Sequence, residues 1–274
     1  MKCITTLLIV LSFSGLSIKA QEATDSTHAL SIGETRMLRS AILGETRTLN
    51  IFLPPGFNKQ QQYGVIYLLD GSLNEDFIHI SGVVQFFHMI YNMPDFIVVG
   101  ISNVDRKRDF TYPTNLKDLK EKYPTTGGSE KFINFIENEL QPYINANFKI
   151  NENRYLIGQS LGGLLATEIL LKRPWLFTSY FIISPSLWWD NESLLKESKN
   201  LLEQHNDSPV YIFISVGAEG ILMESVAEKL ATNIRRAKKK KYTIDFVTMP
   251  KENHATILHN SIYEAFKIKF PYKE

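Results

Sequence analysis

One hexapeptide, Gly158-Gln159-Ser160-Leu161-Gly162-Gly163, constrains this 274-residue chain more than any other stretch. The short apolar run Tyr155–Ile157 leads into it. Leu161–Lys172, dense in small and aliphatic residues and halted before Pro174, leads out of it. A strand that passes through Gly-x-Ser-x-Gly into a helix forms a sharp elbow with the serine at its tip. A residue on so tight a turn takes a strained backbone conformation. Glycines two positions to either side let the neighbouring chain pass without Cβ clashes. The serine then projects above the carboxyl end of a sheet, and the first turn of the helix behind it favours negative charge.

The rest of the chain supplies the sheet. Thr46–Leu53 alternates in polarity and stops at Pro54-Pro55-Gly56, as an early strand would. Val65–Leu69, Phe96–Ile101, Ser179–Ile183, Val210–Val216 and Thr243–Val247 are short apolar runs of the kind that parallel strands buried on both faces show. Helical spacing fills the gaps. Ser129 is the expected N-cap of a helix carrying Phe132, Ile133, Ile136 and Leu140. Met223, Val226, Leu230 and Ile234 form one stripe of a later helix, and Ile262, Ala265 and Phe266 belong to the last. Strands alternating with helices predict an α/β fold, a mostly parallel central sheet with helices on both faces. With no repeat or linker to divide it, the chain is expected to hold one such domain over 46–274, preceded by an N-terminal extension at 21–45 that either forms a strand or is a flexible leader.

Residues 1–20 read as a signal peptide. Lys2 gives the basic start, Ile4–Ile18 the apolar centre, and Ala20 a small residue before the cut. The centre is too short and interrupted to span a bilayer, so an exported protein without a membrane anchor is expected, periplasmic or extracellular. Cys3 is the single cysteine and lies inside that leader, so a mature chain would have neither disulfides nor a thiol nucleophile. The formal net charge of +1 gives no electrostatic reason to expect nucleic acid as a partner. Lys238–Lys241 ends a helix, where lysines complement the dipole.

A serine hydroxyl needs a base to take its proton. Of the six histidines, His28 lies near the leader, His205 in a polar stretch before a strand, and His79 and His88 in a segment that could cover the cleft. His254 sits in the polar loop between the last strand and the last helix, where α/β hydrolases keep their base, with His259 further along that helix. The acid is expected between them in the chain, after Val210–Val216. Glu219 is the first candidate and Glu224 the second, and a serine–histidine pair without a carboxylate is a third arrangement. The oxyanion needs preorganised donors. The Leu161 N–H is one, and Gly71 or Ser72 after the strand Val65–Leu69 is the other; Asp70 reads as a turn residue.

The chain from Thr46 onward resembles the putative esterase family of α/β hydrolases, which includes esterase D-like enzymes and ferric-siderophore trilactone esterases. The likeness is carried by Tyr67-Leu68-Leu69-Asp70-Gly71, by Arg106–Pro113, by the Ser160 elbow, by Ser184-Pro185-Ser186-Leu187-Trp188-Trp189 and by Asn253-His254-Ala255. It implies a serine esterase that works through an acyl-enzyme without metal or organic cofactor, on a small-molecule ester such as a siderophore lactone or another acyl ester. It places Ser160 and His254 on the nucleophile and base positions. Arg106 and Arg108, with Asp109, would then either meet the substrate or form an internal network fixing their loop. Trp188 and Trp189 would either wall the pocket or pack the domain. A peptidase or thioesterase could use the same residues, and a binding protein could use the same scaffold without catalysis.

Overall fold

Buried apolar runs collapse into strands here because each carries side chains that pack on both faces of a sheet. The computed structural model describes residues 27, 30–206 and 208–272; the leader read at 1–20, and His28, lie outside them. Its strands are β1 (Gly33–Arg39), β2 (Thr46–Phe52), β3 (Tyr63–Leu68), β4 (Phe96–Ile101), β5 (Ile150–Gln159), β6 (Ser179–Ile183), β7 (Val210–Gly217) and β8 (Tyr242–Met249). They form one sheet in the order β1-β2-β4-β3-β5-β6-β7-β8. The six strands from β4 to β8 along that order run parallel, while β2 is antiparallel to β4 and β1 to β2.

The helices are α1 (Phe77–Ile90), α2 (Arg106–Phe110), α3 (Lys117–Lys122), α4 (Ser129–Phe135), α5 (Gln141–Asn147), α6 (Leu161–Lys172), α7 (Trp189–Glu203), α8 (Ile221–Arg236) and α9 (Ile257–Lys269). Successive strand residues face opposite ways. Val65, Tyr67, Ile212 and Ile214 therefore join the core under α4 to α8. Ile66, Leu68 and Phe213 join the core under α1 and α9. Each aliphatic side chain so buried contributes about 1.5–3 kcal/mol, and helices cover both faces as the sequence predicts.

Residues 33–39, within the stretch left open between a strand-forming extension and a flexible leader, form β1 and pair along its length with β2. Its polar, largely exposed Gly-Glu-Thr-Arg-Met-Leu-Arg needs no apolar face because it is an edge strand. Ser129 is the first helical residue of α4 and Gly128 its cap, without a side-chain capping bond. The segment after Gly71 meets the cleft at its start, through Glu75 and Asp76, while α1 buries Phe77, Ile80, Val84 and Phe87 in the core it shares with α9.

The chain leaves β3 for β4 on one side and reaches β5 on the other, so the carboxyl ends of β3 and β5 diverge at a topological switch point, where open α/β sheets hold their ligands. The loop after β4 is anchored beside it by buried charge. Arg47 is fully buried and contacts Asp109, also buried, at 2.5 Å and Glu45 at 2.5 Å, while Arg108 binds Asp109 at 2.8 Å and Glu45 at 2.6 Å. Replacing Asp109 with alanine removes one of the two carboxylates on the buried Arg47 guanidinium and leaves it on Glu45 alone. The expected loss is about 1–3 kcal/mol of unfolding free energy, read by urea denaturation, with no comparable loss for Lys117→Ala on the surface.

Candidate active site

β5 delivers Ser160 into α6 through the elbow, and Ser160 takes φ 60°, ψ −119°. A non-glycine residue held there costs on the order of 1–3 kcal/mol. A Cβ on Gly158 would come within 2.4 Å of the Gly162 carbonyl oxygen, so glycine is required there. Gly162 differs from expectation, since a Cβ there would meet only ordinary contacts at 3.5 Å. It is the backbone of Gly162, not its missing side chain, that crowds the turn.

The loop after β8 carries His254 to the serine, with Nε2 2.9 Å from Ser160 Oγ. Its other nitrogen, Nδ1, lies 2.5 Å from Glu219 Oε2, so a continuous hydrogen-bonded chain links carboxylate, imidazole and hydroxyl. The His254 side chain is half exposed, whereas that of Glu219 is only 3% exposed. Burial by itself pushes the Glu219 carboxyl up. Hydrogen bonds from His254, from the Ser184 hydroxyl and from the Gly217 N–H outweigh it and hold the group below its ordinary value. Glu224 plays a different part: its Oε1 accepts the backbone N–H groups of Glu219 and Gly220 at 3.1 and 3.0 Å, bracing the acid's loop. The loops after β7 and β8 are tied together where the Ala218 N–H donates to the Glu252 carbonyl at 2.8 Å. Gln159 Nε2 donates to the His254 carbonyl at 2.5 Å.

Ser184, Ser186 and Gln159 escaped the sequence reading as individual site residues. Ser184 is fully buried at φ 41°, and its hydroxyl donates to Glu219 Oε1. Ser186 places its hydroxyl 3.3 Å from Ser160 Oγ. Ser184-Pro185-Ser186 follows directly on β6, the strand adjacent to β5, so it emerges beside the elbow.

The oxyanion donors need correction. The Leu161 N–H opens α6, among the N–H groups that have no partner within the helix. The Gly71 N–H is spent on the Ile101 carbonyl at 3.0 Å, within the β3–β4 join, and cannot turn to a substrate. Ser72 presents its N–H to Glu75 Oε2 at 3.2 Å. Asp70, at φ 55°, is the expected turn residue and also holds Arg106, at 2.7 and 2.9 Å.

Of the residues assigned to substrate, Arg106 lines the depression above Ser160, of about 390 Å³, together with Asp70, Glu75, Asp76, Gln159 and His254. Burial lowers its affinity for a proton, but the Asp70 bonds more than restore it and its pKa is raised. Arg108 belongs to the buried Arg47–Asp109 network and does not line the depression. Trp189 is fully buried, with its indole N–H on the Tyr112 carbonyl at 3.0 Å, so it packs the domain and walls no pocket. Trp188 is partly buried against the same core.

The other described histidines have structural partners. His205 is held by Tyr242 and the Leu171 carbonyl, His88 by Asp95. His79 of α1 stacks on His259 of α9 at 3.5 Å between ring centres, and His259 Nε2 meets Asp76 Oδ1 at 3.2 Å. Burial, then the charge on His259, lowers the His79 pKa below 6.5. A base depressed in the fold contributes stability that is present above its ordinary value and lost as pH falls through the folded one. The melting temperature should therefore fall as pH drops below about 6.5, and His79→Gln should flatten that fall, read by thermal melts across the range.

The model of the family described as "Putative esterase" matches residues 40–270. The ferri-bacillibactin esterase BesA of Bacillus subtilis is 32% identical over 223 residues, covering 72% of this chain and 76% of its own. An IroE-like serine hydrolase from Shewanella oneidensis superposes with TM-score 0.78 at 29% identity, over 87% of this chain and 80% of that one. The BES protein from Bacillus cereus gives TM-score 0.78 at 29% identity, over 90% and 98%. The chain belongs to the putative esterase family and is a carboxylic ester hydrolase on an α/β-hydrolase fold.

Proposed function

We propose that this protein hydrolyses a siderophore-type ester, outside the cytoplasm, by a serine acyl-enzyme route through Ser160, His254 and Glu219. The observation that carries the reading is the hydrogen-bonded chain from Glu219 Oε2 through His254 to Ser160 Oγ, at 2.5 and 2.9 Å. Glu219, ionised, accepts the Nδ1 proton and fixes the tautomer that leaves Nε2 free to accept from the serine. Ser160 attacks the ester carbonyl as His254 takes its proton, and the oxyanion develops toward the Leu161 and Ser72 N–H groups. The alcohol leaves with the proton from His254. Water, deprotonated by the same imidazole, then releases the acid.

The substrate class rests on the likeness to BesA, a ferri-bacillibactin esterase. Export rests on Lys2 and the apolar run Ile4–Ile18. The test is incubation of the mature protein with a cyclic tri-ester lactone beside p-nitrophenyl esters. The expected result is ring opening to linear products that are cleaved further. Folded protein that opens no lactone but cleaves simple aryl esters overturns the substrate class. Folded protein that cleaves neither, and takes no label from a fluorophosphonate, overturns the chemistry.

A further inference from the structure

The charges around Ser160 are unequal. Asp70, Glu75 and Asp76 line the depression, against the single guanidinium of Arg106. That guanidinium is already held by both oxygens of Asp70, at 2.7 and 2.9 Å, and so offers a substrate little free charge. Lys107 of the same helix lies over the Tyr123 ring, and Arg108 is bound to Glu45 and Asp109. Asp76 faces His259. Glu75 is exposed and held by neutral donors, the Ser72 N–H at 3.2 Å and the Asn103 amide at 3.3 Å. Its carboxylate thus occupies the donor toward which the acyl oxygen of a substrate must move.

We propose that Glu75 is a specificity-determining charge filter: the site accepts esters that are neutral around the scissile bond and rejects esters that are anionic close to it. This rests on Ser160 being the nucleophile. Displacing the carboxylate from Ser72 swings it aside but leaves its charge at the mouth. A second negative charge ~6 Å from it, at the intermediate dielectric of a partly exposed site, lowers the rate on the order of tenfold or more.

The same bond has a structural side. The Glu75 N–H donates back to the Ser72 carbonyl at 3.1 Å, so Ser72-x-x-Glu75 also braces a turn. Glutamine can keep the brace while losing the charge, which separates the two roles. The experiment measures kcat/KM at fixed ionic strength for p-nitrophenyl butyrate, neutral, and p-nitrophenyl hemisuccinate, anionic, with wild type, Glu75→Gln, Glu75→Lys and Ser160→Ala. Wild type is expected to prefer the neutral ester. Glu75→Gln should narrow that preference by about tenfold, and Glu75→Lys should narrow or invert it further. A preference unchanged in both variants, or both esters slowed equally, overturns the filter and leaves Glu75 a turn brace. Wild-type turnover by Ser160→Ala would instead sink the nucleophile assignment, which makes the two failures distinguishable.

Discussion

Ser160→Ala should retain the fold and lose ester turnover, with kcat falling on the order of 10⁵–10⁶-fold. The size follows from what the substitution removes. The hydroxyl oxygen is the atom that would bond to the substrate's acyl carbon, and without it His254 has no proton to take. What remains is binding and the oxyanion donors, which alone sustain only a small part of the acceleration. The fold should hardly notice. Alanine keeps the Cβ and the strained φ of 60°, and Ser160 Oγ otherwise touches only His254 and, at 3.3 Å, Ser186. Melting temperature should therefore stay near wild type while p-nitrophenyl ester hydrolysis disappears. His254→Ala should fall to a similar level, because the two residues act as one unit and their losses do not add.

Glu219→Gln should lower kcat by about 10⁴-fold, although it changes one atom. Two donors already point at Oε1: the Ser184 hydroxyl and the Gly217 N–H, the latter at 3.1 Å. In glutamine the carbonyl oxygen must answer them, which turns the amide NH₂ toward His254 Nδ1. That nitrogen must then accept, so the ring proton moves to Nε2, and Nε2 can no longer accept from Ser160. The wrong tautomer is thus locked in by the neighbours that serve the carboxylate. Glutamine should accordingly be no better than alanine at this position, measured by steady-state kinetics on the same ester. Activity within about tenfold of wild type for Glu219→Gln would mean that the enzyme works as a serine–histidine pair and that the carboxylate is dispensable.

Much of this architecture was legible because burial on both faces of a parallel sheet forces continuous apolar strands. Phe96–Ile101 and Ser179–Ile183 have the bounds the sequence predicts, and Leu161–Lys172 is α6 throughout. β1 could be offered only as one of two readings of its stretch, since an edge strand with polar Glu34, Thr35 and Arg36 carries neither apolar run nor buried face. In the site, Ser160, His254 and Glu219 could be ranked because their places after β5, β8 and β7 follow from topology. Gly71 failed because a backbone N–H consumed by sheet pairing looks the same in sequence as a free one. Arg108 and Trp189 stayed open between two readings for a related reason. A charged or aromatic residue beside a strand end can face the cleft or the core, and only tertiary partners such as Arg47 with Asp109, or Tyr112, decide which. Ser184 went unnoticed because its role depends on β6 lying next to β7 in the sheet, a pairing no local pattern encodes.

The central claim is a covalent acyl group on Ser160, and the most direct measurement is to catch it. Wild-type protein turning over a p-nitrophenyl ester is quenched rapidly in acid, digested, and its peptides weighed by mass spectrometry. The expected result is a mass increase equal to the acyl group on the peptide containing Ser160, absent in Ser160→Ala and accumulating in a burst ahead of steady turnover. Steady turnover with no acylated peptide at any time, or with the acyl group on a different residue, would contradict it.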